Sequence, residues 1–173
     1  PTPTGLQAHD ALLELGGWNL REHLGAGAFG QVILADRRTV AGDLQKVAIK
    51  LVVPRDPSSF PGKNKAERAQ LAVLDFNQKV QSIVREFQLL QRIDSPFIAP
   101  VIDSGRKEVD FHGVRVSLAW IALQYIPGQS LQEEINTEGV LSKSEWFDLA
   151  HDLLMAAVAA HEAGVINSDI KPD

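Results

Sequence analysis

The sequence predicts an α+β fold, in which a five-stranded antiparallel sheet carries one long helix and is followed by further helices. Two observations support this prediction. Short runs rich in β-branched residues follow one another across brief turns, which favours antiparallel pairing of neighbouring strands. A long amphipathic stretch separates the third run from the fourth, and helical periodicity takes over after the fifth.

The first three strands are predicted on either side of a glycine-rich turn. Residues 6–15 indicate a short helix that ends at Gly16 and Gly17. The third strand is almost entirely apolar, as expected for a strand that is covered on both faces. The three strands are predicted at 18–24, 31–35 and 46–53.

One long helix and two more strands complete the predicted sheet. The proline-containing loop at 54–64 is expected to be mobile, and it is a candidate surface insertion. Apolar residues at helical spacing then predict a helix over 65–93, as one piece or as two in series. The last two strands are predicted at 97–102 and 114–125.

The rest of the chain is predicted to be helical. Pro127 and Gly128 break the chain in the manner of a hinge. A short helix is predicted at 131–135, and a longer one starts at Ser142, where Glu145 three residues on completes a capping-box pattern. The predicted division is a first lobe at 1–123, a hinge at 124–128 and the beginning of a second lobe at 129–173.

Composition argues against several classes of function. The net charge of −5 gives no electrostatic reason to expect nucleic-acid binding. Without cysteine the chain has no disulfide and no thiolate metal site, and its five histidines show no metal-ligand spacing. Because no signal peptide or membrane-spanning run is evident, a cytoplasmic location is expected.

A glycine-rich turn is the first motif that carries chemistry. Residues 25–32 match G-x-G-x-x-G-x-V through Gly25, Gly27, Gly30 and Val32. Glycines let the backbone approach phosphate groups and point N–H groups at them. An ordinary glycine-rich hairpin turn would explain the pattern equally well. A dinucleotide-binding fold would not, because a strand and not a helix follows the glycines.

Lys50 and Glu86 are the next candidates. Lys50 ends Val-Ala-Ile-Lys inside an apolar strand, where an ammonium group is costly to bury without a partner. It could hold the phosphates of ATP, or extend to solvent at a sheet edge. Glu86 borders the apolar face of the long helix, where it could pair with Lys50 or remain a solvated carboxylate.

Asp169 and Lys171 stand in Asp-Ile-Lys-Pro near the end of the sequence. A carboxylate in a loop after a helix can orient a hydroxyl group and accept its proton. A lysine two residues later can neutralise charge on a transferred phosphoryl group. Taken alone, a surface Asp-x-Lys pair before proline is the simpler interpretation.

In their order along the chain, these motifs closely resemble the eukaryotic-type (Hanks-type) Ser/Thr protein kinases, from about Trp18 to Asp173. That family carries a glycine-rich loop, V-A-I-K, a helix glutamate, a hinge and H-R-D-L-K-P-x-N. The resemblance implies a protein-kinase-like fold, with the ATP-binding lobe and the start of the helical lobe. It also implies transfer of the γ-phosphoryl group of ATP, with Mg²⁺, to hydroxyl groups of an unidentified protein substrate.

The resemblance assigns roles to individual residues. Lys50 would bind the ATP phosphates and pair with Glu86. Asp169 would be the catalytic aspartate, and Lys171 would lie near the γ-phosphate. The remaining contacts would be glycines over the phosphates and apolar, gatekeeper or hinge residues around adenine: Gly25, Gly27, Gly30, Leu24, Val32, Ala48, Leu123, Gln124, Tyr125 and Ile126.

The sequence departs from the family pattern in two ways. Asn167 and Ser168 replace the His and Arg before the catalytic aspartate, which makes a pseudokinase or nucleotide-binding interaction module the alternative. The metal-binding Asn and the D-F-G motif do not occur in the 173 residues, so we expect a truncated domain that transfers phosphate poorly by itself. A small-molecule phosphotransferase of related fold fits the motifs less well.

Self-association is also expected, through the last helix. In an incomplete helical lobe its apolar face would be partly uncovered, and exposed apolar patches favour association. The residues of that face are Trp146, Leu149, Leu153 and Leu154.

Overall fold

The computed structural model describes residues 14–27, 30–111, 114–166 and 170. Contacts divide the chain into two compact units, Pro1–Gln88 with Val101–Tyr125 and Leu89–Pro100 with Ile126–Asp173. The second unit thus combines a segment before the last two strands with the residues that follow them. The division into a first lobe, a hinge and a second lobe stays a prediction. Within the described ranges, no helix is both long and apolar enough to cross a membrane.

The described part of the first unit contains an antiparallel sheet of six strands, in the order β1-β2-β3-β4-β6-β5. Its strands are β1 (Glu14–Leu15), β2 (Trp18–Gly27), β3 (Gly30–Arg38), β4 (Leu44–Leu51), β5 (Val101–Phe111) and β6 (Val114–Gln124). β4 lies between β3 and β6, and its residues 47–51 are paired on both sides.

Three α-helices and one short 3₁₀ helix occur in the described residues. They are the 3₁₀ turn Pro57–Ser59, α1 (Lys65–Leu90), α2 (Leu131–Glu138) and α3 (Lys143–Glu162). The α+β class, with an antiparallel sheet and one long helix, is confirmed. The long helix is one piece, as its continuous 3.6-residue periodicity allowed.

The predicted number of five strands is wrong, because β1 adds a sixth. Gly16 and Gly17 were expected to end a helix at 6–15, of which residues 6–13 lie outside the described part. In the structure these glycines have φ angles of 58° and 83° and form the two-residue turn between β1 and β2. Glycine pairs with positive φ suit such hairpin turns as well as helix ends.

The fourth predicted strand, at 97–102, is misplaced. The corresponding strand is β5, which begins at Val101 and continues to Phe111 through mostly polar residues. Its residues alternate between exposed and partly covered positions and pair with β6 along their length. The strand therefore depends on its neighbour more than on an apolar run of its own.

The loop at 54–64 is held by local contacts. Asp56 Oδ1 accepts a hydrogen bond from the backbone N–H of Ser58 at 2.7 Å, which caps the 3₁₀ turn. The Arg55 guanidinium lies over the ring of Phe60, 4.9 Å from its centroid. These contacts define the local conformation of the loop, and its mobility stays a prediction.

The main core lies on one face of the sheet. Along β4, Val47, Ile49 and Leu51 point to this face and are fully buried. They pack with residues of the neighbouring strands: Leu15, Trp18, Ala35, Trp120 and Ala122. We call this side the outer face; the intervening residues of β4, among them Lys50, belong to the opposite, inner face.

The second unit is held together by its own contacts. The Phe97 and His151 rings meet edge to face, with centroids 5.9 Å apart. The capping box predicted at Ser142 is confirmed, because Ser142 and Glu145 exchange side-chain and backbone hydrogen bonds at the start of α3. Ser130 and Glu133 make the same arrangement at α2.

Candidate functional site

Lys50 and Glu86 meet in the structure. The Lys50 Nζ lies 2.8 Å from Oε1 and 2.7 Å from Oε2 of Glu86, and both side chains are partly buried. An ammonium group has three N–H donors, so this pair leaves Lys50 able to contact a further anion. β4 brings the lysine from the middle of the sheet, and α1 brings the glutamate.

Helix α1 is fixed on the side that carries Glu86. Its buried residues recur at helical spacing and end three positions before the glutamate: Ala72, Phe76, Val80 and Ile83. At the other end, Asn64 Oδ1 accepts from the backbone N–H of Glu67 at 2.9 Å, and Glu67 accepts from that of Lys63. The helix that positions Glu86 is thus capped at its start and packed along its length.

Strand register gathers the other candidates on the inner face. In antiparallel strands, residues directly opposite each other project to the same side. Lys50 stands opposite Val32 on one neighbour, and Ala48 stands opposite Leu123 on the other. These four candidates therefore share one face of the first unit.

Two residues of this face were missed by the sequence analysis. Leu34 stands opposite Ala48, and Ile121 stands opposite Lys50. Both are buried, and they extend the apolar surface beside the lysine. Period-two alternation from Val32 and from Leu123 is the signal that would have found them.

The glycine-rich turn lies at the end of the β2–β3 pair. Gly25 stands opposite Val32, and Gly27 opposite Gly30. A Cβ added at Gly25 would meet nothing within 4 Å, whereas one added at Gly30 would come 2.4 Å from the carbonyl oxygen of Leu51. The first glycine leaves open space for a ligand, while the third is required by the protein's own backbone.

The remaining candidates are scattered. Leu24 lies where the β2–β3 register shifts, and it is partly exposed. Gln124 and Ile126 are exposed, and Ile126 belongs to the second unit. Asp169 and Lys171 lie outside the described residues, as do Asn167 and Ser168.

An ion pair marks the other end of the inner face. Arg21 Nε and Nη2 donate to Oδ2 and Oδ1 of Asp36 at 2.6 and 2.8 Å. The hydrogen bond from Arg21 lowers the pKa of Asp36 below its ordinary value, and partial burial opposes that shift. In the part of the chain that the structure describes, no cluster of three or more His, Asp and Glu side chains could hold a metal ion.

The sequence matches the family model for the protein kinase domain over residues 18–173. The probable serine/threonine-protein kinase pknA2 of Bifidobacterium longum is 32% identical over 96 residues, 56% of this chain and 12% of that protein. PknB of Mycobacterium tuberculosis, a serine/threonine-protein kinase, is 26% identical over 155 residues, 90% of this chain and 21% of that protein. The chain thus spans only a small part of the relatives it matches.

A solved structure has a similar fold. It is Rad53 1-466 in complex with AMP-PNP, which aligns with a TM-score of 0.64 and 19% sequence identity. The alignment covers 91% of this chain and 33% of the other. At this level of identity the similarity shows a shared fold.

Proposed function

The chain belongs to the protein kinase family, and from this membership we propose that it is the ATP-binding part of a Ser/Thr kinase that phosphorylates proteins. One observation carries the proposal: Lys50 is paired with Glu86 on the face that also holds Val32, Ala48 and Leu123. A fixed ammonium group beside an apolar surface suits a ligand with a phosphate chain and an aromatic base. AMP-PNP, bound by the structural neighbour, is such a ligand.

Each residue has a proposed task. Glu86 holds the Lys50 ammonium in position, and Lys50 binds the α- and β-phosphates. Gly25 and Gly27 let the backbone approach the phosphates, and Gly30 shapes the turn. The adenine ring packs on apolar residues and meets the hinge backbone: Leu24, Val32, Ala48, Leu123, Gln124, Tyr125 and Ile126.

The chemical step is proposed for the motif near the end of the sequence. Asp169 orients the substrate hydroxyl and accepts its proton, and Lys171 neutralises charge on the γ-phosphoryl group. Mg²⁺ would neutralise charge on the phosphates of ATP. Because the described residues offer no metal cluster, we assign none of them to the ion. We propose that the 173 residues bind nucleotide without efficient turnover, since the Asn and D-F-G metal ligands are not among them.

A cytoplasmic location and self-association of the 173-residue chain are also part of the proposal. The location rests on the use of ATP and on the cysteine-free sequence. Self-association rests on apolar residues of α3 that remain exposed, among them Trp146 and Leu154.

The test is autophosphorylation of the full-length protein with labelled ATP and Mg²⁺. We expect label on Ser or Thr, and a loss of about 100-fold or more for Lys50→Met and for Asp169→Asn. Lys46→Met is the matched control, because Lys46 is an exposed lysine on the same strand, two alternations away on the same face. It should keep the activity of the unchanged protein.

The alternative is a pseudokinase or nucleotide-binding module, which Asn167 and Ser168 favour. In that case the full-length protein would incorporate no more label than the Lys50→Met variant. It would still bind AMP-PNP, and Lys50→Met would weaken that binding. Label incorporation that survives Lys50→Met would contradict both functions as assigned here.

A further inference from the structure

A short hairpin whose first strand precedes the family match is part of the sheet's core. β1 lies ahead of residue 18, where the match begins. Leu15 on β1 and Trp18 at the start of β2 both have no exposed surface, and both pack in the outer-face core. The hairpin is therefore built into the sheet.

The ring of Trp120 packs against the turn of this hairpin. A Cβ added at Gly16 would lie 2.5 Å from the Trp120 ring, and one added at Gly105 would lie 2.6 Å from it. The ring thus fills the space that side chains would need at both glycines. Trp120 stands opposite Leu51 and directly precedes Ile121, the residue opposite Lys50.

The side chain of Trp18 links β2 to β5 through its indole N–H and to β3 through the face of its ring. Its Nε1–H donates to Asp103 Oδ2 on β5 at 2.9 Å. The Arg37 guanidinium of β3 lies 3.9 Å from the Trp18 ring centroid and 3.4 Å from the same Asp103 oxygen. We call these three residues, Trp18, Arg37 and Asp103, the Trp18 clamp.

β2 is anchored at its start, and its pairing with β3 is irregular in the middle of the strand. Beyond the Trp18 clamp its register with β3 shifts twice, between Leu20 and His23 and between His23 and Gly25. Each shift leaves residues out of the regular ladder. Beyond the shifts, Gly25, Ala26 and Gly27 pair with β3 again. The turn therefore follows the relative placement of β2 and β3, which the Trp18 clamp ties together at their other end through Trp18 and Arg37.

We propose that the Trp18 clamp positions the glycine-rich turn for nucleotide binding. Trp18, Arg37 and Asp103 are positioning residues that act through β2, on the outer face, and the nucleotide meets the inner face. The inference rests on the proposed function, because it requires the nucleotide phosphates to bind at the turn.

The test measures AMP-PNP binding to the full-length protein by titration calorimetry. Trp18→Phe keeps a buried ring and removes the N–H donor. We expect binding to weaken up to about fivefold, the factor equivalent to the net contribution of one hydrogen bond. In phosphorylation assays the KM for ATP should rise with kcat unchanged, as when only binding is lost.

Two comparisons separate positioning from stability. Val116→Ala removes buried volume from β6, away from the Trp18 clamp, and should lower thermal stability while leaving the AMP-PNP affinity unchanged. In a double-mutant cycle, Asp103→Ala should cost less AMP-PNP affinity in the Trp18→Phe background than alone, because Trp18→Phe has already removed the hydrogen bond that Asp103 accepts. If Trp18→Phe does not fold, Arg37→Lys, which keeps the charge and loses the planar group, should weaken binding instead.

The outcomes distinguish the inference from the proposed function. If Trp18→Phe and Arg37→Lys lower stability as Val116→Ala does and leave the AMP-PNP affinity intact, the inference is overturned. The proposed nucleotide site then stands, provided that Lys50→Met still weakens binding. If the unchanged protein binds no AMP-PNP, the proposed function fails and the inference fails with it.

Discussion

The glycines of one motif differ in what a side chain would meet. Gly30 has a φ angle of 153°, and a Cβ there would approach the Leu51 carbonyl oxygen to 2.4 Å. Gly25 has neither a positive φ nor a neighbour within 4 Å of an added Cβ. The same residue type is therefore required by the fold at Gly30 and leaves space for a ligand at Gly25.

This contrast predicts opposite results for two alanine substitutions. Gly30→Ala should lower the free energy of unfolding by about 1–3 kcal/mol, because the strands must separate around the new methyl group. Gly25→Ala should change it by less than about 0.5 kcal/mol and should weaken AMP-PNP binding. Urea unfolding and titration calorimetry measure the two effects. Equal losses of stability in both variants would contradict the assignment.

Lys50 shows how far a residue-level prediction can go. Its motif identified the lysine and its helix partner, because the spacing of the apolar residues marked a strand and a long helix. The distance between Nζ and the Glu86 carboxylate, 2.7–2.8 Å, depends on how strand and helix pack, which the sequence pattern does not contain. The roles of Lys50, Glu86, Asp169 and Lys171 in catalysis stay predictions.

Between elements, the Arg21–Asp36 ion pair links β2 to β3 and makes their pairing sensitive to acid. The hydrogen bond from Arg21 holds the pKa of Asp36 below its ordinary value in the folded protein. A carboxyl group whose pKa is lower in the folded protein than in the unfolded chain stabilises the fold at pH values above its pKa in the unfolded chain, which is about 4. That stabilisation is lost as the pH falls below about 4 toward the folded pKa.

Asp36→Asn should therefore be less stable than the unchanged protein at pH 7, and the difference should shrink as the pH falls from about 4 to 2. Urea unfolding across this pH range measures it. Asp43→Asn is a control, since Asp43 is an exposed aspartate in the turn between β3 and β4. A difference for Asp36→Asn that stays constant down to pH 2 would contradict the role of the ion pair.

Elements with a strong period of their own were predicted well. α1 starts at the predicted residue, and the capping box of α3 has the predicted members, because both depend on local spacing. β1 was missed because Gly16-Gly17 fits a helix end and a hairpin turn alike. β5 was misplaced because its polar residues gain their strand conformation from pairing with β6.

Contacts between distant residues could not be predicted. Trp18 and Asp103 are 85 positions apart, and no motif links them. The sheet order separates β2 from β5 by three strands, so this hydrogen bond depends on how the whole sheet and its outer-face core are arranged in space. The Trp18 clamp is thus a product of the fold, whereas the glycine-rich turn is visible in the sequence itself.

At the scale of the whole molecule, α3 has an extensive exposed apolar surface. Phe147 and Leu154 are 66% and 67% exposed, and seven positions apart they lie on the same side of the helix. Leu149, a member of the face that was expected to be partly uncovered, is partly buried. Other exposed apolar residues of the helix are Trp146, Leu153, Met155 and Val158.

We expect the 173-residue chain to self-associate through this surface, with a mass by light scattering that rises with concentration. Burying a Leu or Phe side chain contributes about 1.5–3 kcal/mol, so the double variant Phe147→Lys, Leu154→Lys should weaken association at least about tenfold. Leu74→Lys is the control, because Leu74 is a similarly exposed apolar residue on α1. It should associate as the unchanged chain does. A monomer at every concentration would contradict the expectation. An equal loss of association in Leu74→Lys would show that the effect is not specific to the exposed surface of α3.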